Sequence, residues 1–153
     1  MRRGFSLITA IIFIVLVASI AALALSFSSF TTKQTSDLFL REQAELLVQS
    51  GTEFALLAIS GHQINAANGC LNSINSQYPQ AGAAAIFDIN ITINYLGNGL
   101  AAASNNNCNI LSDTVVTADS NITVIIDTIV STNTDNNIST EPIRLHRRTI
   151  QKP

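Results

Sequence analysis

The 153-residue chain carries eight Lys or Arg against ten Asp or Glu, a formal charge of −2, with 47% hydrophobic and 12% charged residues and no Trp. Such mild acidity argues against a general nucleic-acid binder. Once an apolar stretch of about 30 residues is set aside, the length leaves one soluble domain of roughly 120 residues. The averages mix two unlike parts: no charged side chain falls between Gly4 and Thr32, whereas the chain beyond Gly61 is crowded with Asn, Ser and Thr.

The first predicted element is Phe5–Phe30, a nearly unbroken run of Leu, Ile, Val, Ala and Phe. As a helix it measures about 39 Å, enough to cross a hydrocarbon layer of roughly 30 Å. Arg2 and Arg3 ahead of it favour an amino terminus left in the cytoplasm, which sends everything beyond Phe30 across the membrane. A cleavable secretory signal is the competing reading, since it too has a basic start, and Ala22-Leu23-Ala24 matches the small-residue pattern of its cleavage site. The apolar run exceeds the usual h-region of about 7 to 15 residues, however, and no turn-forming break follows Ala24.

Helical patterning continues instead. Leu40, Ala44, Leu47, Gly51, Phe54 and Ala58 recur at steps of four and three, which predicts an apolar stripe able to receive a small sheet. Lys33, Asp37, Arg41 and Glu45 step by four with alternating sign, each pair supporting the helix by a few tenths of a kcal/mol. One helix is therefore expected from Phe5 to Ser60, with Gly61 as its stop. Residues 5–32 form its membrane-spanning half and 33–60 its amphipathic half, leaving 61–153 as an extracytoplasmic head.

The opening "RGFSL", running into an uninterrupted apolar helix, resembles the class III signal of type IV pilins and type II secretion pseudopilins. The resemblance implies that a prepilin peptidase cuts after Gly4 on the cytoplasmic side, making residues 1–4 a leader, and that Phe5 is then N-methylated. A small, flexible glycine suits a place where a protease must reach extended backbone. Also implied are an inner-membrane, single-pass protein with its carboxyl-terminal domain in the periplasm, later incorporated into a pilus or pseudopilus, and partnership with other pilins or pseudopilins through the amino-terminal helix.

One residue departs from that family's pattern. The fifth position after the cut is usually glutamate, and here it is Thr9. A carboxylate at mid-bilayer costs on the order of 2.5–3.5 kcal/mol on insertion scales. The family's glutamate is held to meet the terminal amine of the subunit assembled before it. Thr9 has no charge to offer, and its hydroxyl can bond back to a helical carbonyl. The K-type minor pseudopilin that caps a secretion pseudopilus likewise lacks the glutamate, because a first subunit has no predecessor. By this similarity the chain is a minor subunit that initiates or caps a filament, although it is much shorter than typical K-type subunits. Ordinary drift at position 9, or a plain membrane anchor for an adhesin or DNA-uptake receptor, are the readings that compete.

In the head, "AIFDINITINY" is the clearest strand: Phe87, Ile89, Ile91, Ile93 and Tyr95 alternate with Asp88, Asn90, Thr92 and Asn94. "NITVIIDTIV" at 121–130 alternates less cleanly, "TVVT" at Thr114 suggests a short edge piece, and "PIRLHRRTI" gives a further strand with Pro142 at its first position. Asn- and Gly-rich connections separate them. A long helix followed by a three- or four-stranded antiparallel sheet is an α+β fold, as the pilin resemblance also implies.

Cys70 and Cys108 are the only cysteines. In an oxidising compartment a bridge between them is expected, stabilising the fold by roughly 4 kcal/mol on the chain-entropy model. Every Asn-x-Ser/Thr triplet, at Asn90, Asn121 and Asn137, has Asp two residues ahead, which resembles the extended acceptor of bacterial oligosaccharyltransferases. These are candidate N-glycosylation sites, although similar segments also arise simply because Asp, Asn and Thr suit turns and exposed edges.

Lys and Arg are absent between Arg41 and Arg144, then cluster at the far end. On the last strand Arg144, His146 and Arg148 share a face at a spacing of about 6.8 Å, a comb for an anionic partner. That partner is the acidic face of a neighbouring subunit or, as the minor reading, nucleic acid; a comb of this kind also guards an edge against aggregation. No catalytic set, metal spacing or cofactor motif emerges, and His62 and His146 show no ligand-like spacing with the cysteines. The sequence therefore reads as a structural protein and not an enzyme.

Overall fold

The computed structural model describes residues 3–105, 107–116, 122–133 and 141–153, the side chains of 3–6 excepted. The fold is α+β. In chain order it comprises α1 (Arg3–Gly61), β1 (Ser73–Tyr78), β2 (Phe87–Gly97), α2 (Leu100–Ala103), β3 (Ile110–Ser112), β4 (Ile122–Thr132) and β5 (Arg144–Gln151). These residues divide into two compact units, Met1–Phe39 and Leu40–Pro153.

The first unit is the amino-terminal stretch of α1, long and apolar enough to cross a membrane. Its side chains from Leu7 to Phe30 are exposed. Ser19 and Ser26 donate to the carbonyls of Leu16 and Ala22 at 2.8 and 3.0 Å, and Thr31 and Thr32 donate to those of Phe27 and Ser28 at 2.9 and 3.0 Å. A hydroxyl bonded within its own helix asks nothing of its surroundings, which is the condition for life in lipid.

The second unit places the remainder of α1 on one face of the sheet. Strand order is β1-β2-β4-β5, antiparallel along that path, while β3 lies parallel to β2. Tyr95 pairs with Ile110 and Leu96 with Ser112, with a register shift between them. The five-stranded sheet is therefore mixed, with one strand more than the longest expected. Phe87, Ile89, Ile91, Ile93 and Tyr95 all point to the core, as their alternation predicts, together with Val124, Ile126 and Val130 of β4.

At Gly51 the helix lies in close contact with the sheet. A Cβ there would lie 3.4 Å from Thr128 Cγ2 and 3.5 Å from Ile91 Cδ1. Next to it Thr52 is buried, donating to the Val48 carbonyl at 2.8 Å with its oxygen 3.0 Å from the Thr128 hydroxyl, so neither polar group is left alone in the core.

The buried stripe itself differs from the expected one. Leu40, Ala44 and Gly51 are buried as expected, but the line continues through Val48, Ala55 and Ile59, and Phe54 is 57% exposed. A repeat of strict fours and threes has a period of 3.5, whereas a straight helix turns every 3.6 residues, so the contact line drifts by about 20° per heptad.

Three strand assignments also differ from the expected ones. β1 is a strand that alternation alone does not reveal: only Ile74 and Tyr78 in "SINSQY" are large and apolar. Of the "TVVT" piece, residues 114–116 are described and form no strand; Thr114 makes an isolated bridge to Asn98, and the short strand lies earlier, at Ile110–Ser112. Pro142 stands outside β5, which begins at Arg144.

Candidate functional site

Gly4 and Phe5 lie in the first turn of α1. The backbone at the expected cut is helical and not extended, so a protease would have to open the helix end, which frays at small cost. Thr9, within the same helix, is exposed.

In the head, a knot of contacts forms around the two cysteines. Cys70 and Cys108 are disulfide-bonded, with Cα atoms 4.9 Å apart across 38 positions of sequence. Cys70 N–H donates to the Asn107 carbonyl at 3.0 Å, Asn109 N–H donates to the Asn72 side chain at 2.9 Å, and Tyr95 N–H donates to the Asn109 carbonyl at 2.8 Å. Tyr95 closes the knot from below: its phenol donates to the Leu71 carbonyl at 2.8 Å, and burial pushes its pKa up to about 12. Gly69 is at φ +63°, and a Cβ there would fall 2.8 Å from the Asn107 carbonyl oxygen, so only glycine fits this close approach. His62, with no ligand role visible in the sequence, has Nε2 3.1 Å from the Gly69 carbonyl. The knot fixes the start of β3, which explains how a three-residue strand persists.

The opposite face of the sheet is the wet one. Asn90 is exposed on β2, as its alternation predicts, but it pairs with Asn75 of β1 on one side and Ile129 of β4 on the other. Its Asp88 neighbour on the same face accepts hydrogen bonds from Gln77 at 2.7 Å and Asn133 at 3.3 Å. Asn121 and Asn137 lie outside the described residues.

Arg144, His146 and Arg148 do share this face. The structure brings to them a residue that sequence reasoning missed, Asp127 of β4, paired directly with Arg148. Arg148 Nε and Nη2 donate to the two Asp127 oxygens at 2.6 and 3.0 Å, and His146 Nε2 sits 2.9 Å from Oδ1. The Asp127 side chain is only 11% exposed. The Arg148 guanidinium holds its carboxyl below the usual carboxylate range, His146 adding to the effect, and the same pair raises Arg148. Two members of the comb are therefore held by an acid of the same chain, a fork-to-carboxylate arrangement with fixed geometry. The signal was present as the one charged residue of β4, but its partner depended on the β4–β5 register.

No group of His, Cys, Asp or Glu suited to a metal occurs among the described residues. No known protein family, no curated protein and no solved structure matches the chain. Its chemistry must be read from its own side chains.

Proposed function

We propose that this chain is a minor subunit of a membrane-rooted filament of the type IV pilin or pseudopilin class, and that it acts in initiating or capping assembly. In this reading residues 5–32 lie in the inner membrane, the 61–153 head faces the periplasm, and the role is structural and not enzymatic.

The observation that carries the reading is that one helix serves two purposes. α1 begins at Arg3, runs without a break through the apolar stretch, and supplies Leu40, Ala44, Val48, Ala55 and Ile59 to the head's core. The apolar stretch and the core-forming segment thus belong to one unbroken helix, which neither a cleaved signal nor a plain anchor requires. A subunit that leaves the membrane with its helix attached needs both. The same helix keeps Leu46, Phe54 and Leu57 exposed at 67%, 57% and 70%, well past the roughly 20 residues a bilayer accommodates. Apolar side chains on that outer side supply surface for neighbouring helices.

Thr9 supports placement at the filament end, where no preceding terminal amine calls for a carboxylate. The test is incubation of membranes containing the full chain with a prepilin peptidase and a methyl donor. Loss of Met1–Gly4 and gain of one methyl group on Phe5 are expected in the intact mass, and a Gly4→Val chain should stay uncut. An uncut wild-type chain would remove the filament reading.

A further inference from the structure

β5 forms one edge of the sheet, and no described strand pairs with its outer side. Which of its backbone groups face outward follows from the pairing. Just ahead of the strand, Thr132 N–H donates to the Ile143 carbonyl at 2.9 Å and Ile143 N–H donates to the Thr132 hydroxyl at 3.1 Å. Ile143 thus turns its backbone toward β4. Opposed residues in an antiparallel pair alternate between hydrogen-bonded and non-hydrogen-bonded. Leu145, Arg147, Thr149 and Gln151 follow Ile143 inward, and the N–H and C=O groups of Arg144, His146, Arg148 and Ile150 face away from β4.

Beside this edge runs a groove of about 390 Å³, lined by Arg41, Glu45 and Val48 of α1 and by Leu145, His146 and Arg147 of β5. Its floor is apolar, with Val48 buried and Leu145 half-buried. Its rim is basic on balance, since Arg41 and Arg147 face one acid, Glu45. The side chains of Arg147 and, on the other face of β5, Arg144 make no hydrogen bond or ion pair with any described residue. Arg148, by contrast, is held by Asp127.

We propose that the β5 edge accepts an extended acidic segment of a partner protein as an additional strand. Its backbone exchanges hydrogen bonds with Arg144, His146, Arg148 and Ile150. Its side chains alternate in direction. Those turned toward the helix seat an aliphatic residue over Val48 and Leu145 and bring a carboxylate to Arg147. Those turned the other way bring a carboxylate to Arg144. Backbone pairing supplies affinity and the groove supplies selectivity, as in other strand-addition sites. A nucleic-acid duplex suits the surface less well, because Asp127 already holds two cations of the comb and the outward amide row matches a strand and not a phosphate helix. The proposal concerns the second unit, Leu40–Pro153, and does not depend on the filament reading.

The test uses the full chain in detergent micelles and three labelled ten-residue peptides, read by fluorescence anisotropy. One alternates Val with Glu, one alternates Val with Lys, and one has the acidic composition with two central prolines. The acidic alternating peptide is expected to bind, with the Lys and Pro peptides at least tenfold weaker. The double variant Arg144→Glu, Arg147→Glu should weaken it at least tenfold. His146→Pro removes an outward amide that the sheet does not use, as tolerated on an edge, and should abolish binding while circular dichroism stays near wild type. Should that variant misfold, hydrogen exchange on the wild type carries the same information, with slowed exchange at the amides of His146 and Arg148 on peptide addition. Equal binding of the Pro peptide, tighter binding of a 20-base-pair duplex than of the acidic peptide, or no peptide binding at all would overturn the proposal; the last outcome would leave the basic edge as a guard against aggregation.

Discussion

Asp127 shows how one residue converts a basic comb into a fixed structural group. Its carboxylate lies nearly buried between Arg148 and His146, and its pKa is lowered chiefly by the Arg148 hydrogen bonds. A group whose folded pKa is depressed contributes stability that is complete above its unfolded value, near 3.9, and is lost as pH falls through the folded one. Asp127→Asn should therefore lower the thermal midpoint at pH 7 and lose less of it on acidification than wild type below about pH 4. Calorimetry at pH 7, 4 and 2.5 checks this, and parallel pH profiles for the two proteins would show that the pair adds nothing. The acid itself stands out in "TVIIDTIV", yet its role needed the β4–β5 register, which no run of residues encodes locally.

At the scale of elements, what local patterning governs was legible, and what contacts between distant segments govern was not. β2 follows directly from alternation because it is central, with one face in the core and the other wet. β1 sits on an edge and turns only Ile74, Ser76 and Tyr78 to the helix side, so its residues carry little periodic signal. β3 is only three residues long and begins two positions after Cys108 of the disulfide, so its own residues carry no periodic signal.

The helix–sheet contact gives a sharper test, at Gly51. With a Cβ at ordinary contact distance from Thr128 and Ile91, Gly51→Ala should be neutral or stabilising by up to about 1 kcal/mol, since alanine improves the helix. Gly51→Leu should cost about 1–3 kcal/mol by forcing the helix from the sheet. Urea unfolding of both variants in the same micelles measures the difference. Equal stabilities would mean that α1 does not rest on β2 and β4 at this point.

For the whole molecule, the apolar amino-terminal segment was legible from composition and charge, and the α+β class from the alternating strands that follow the helix. For function the sequence offers a resemblance resting on a few residues around Gly4, and the proposed place at a filament end rests on Thr9. If the missing carboxylate is what reserves this chain for an end, Thr9→Glu should allow it to enter internal positions, raising its copy number per filament in quantitative mass spectrometry. Unchanged stoichiometry would detach Thr9 from placement.

The central claim is that α1 stays with the head after the chain is processed at its inner end. The amino-terminal residue of mature protein recovered from native membranes measures this most directly. Terminal sequencing should begin at Phe5, carrying one added methyl group. A mature chain beginning near Leu25 would show that the apolar half had been discarded, contradicting the filament subunit and the shared helix together.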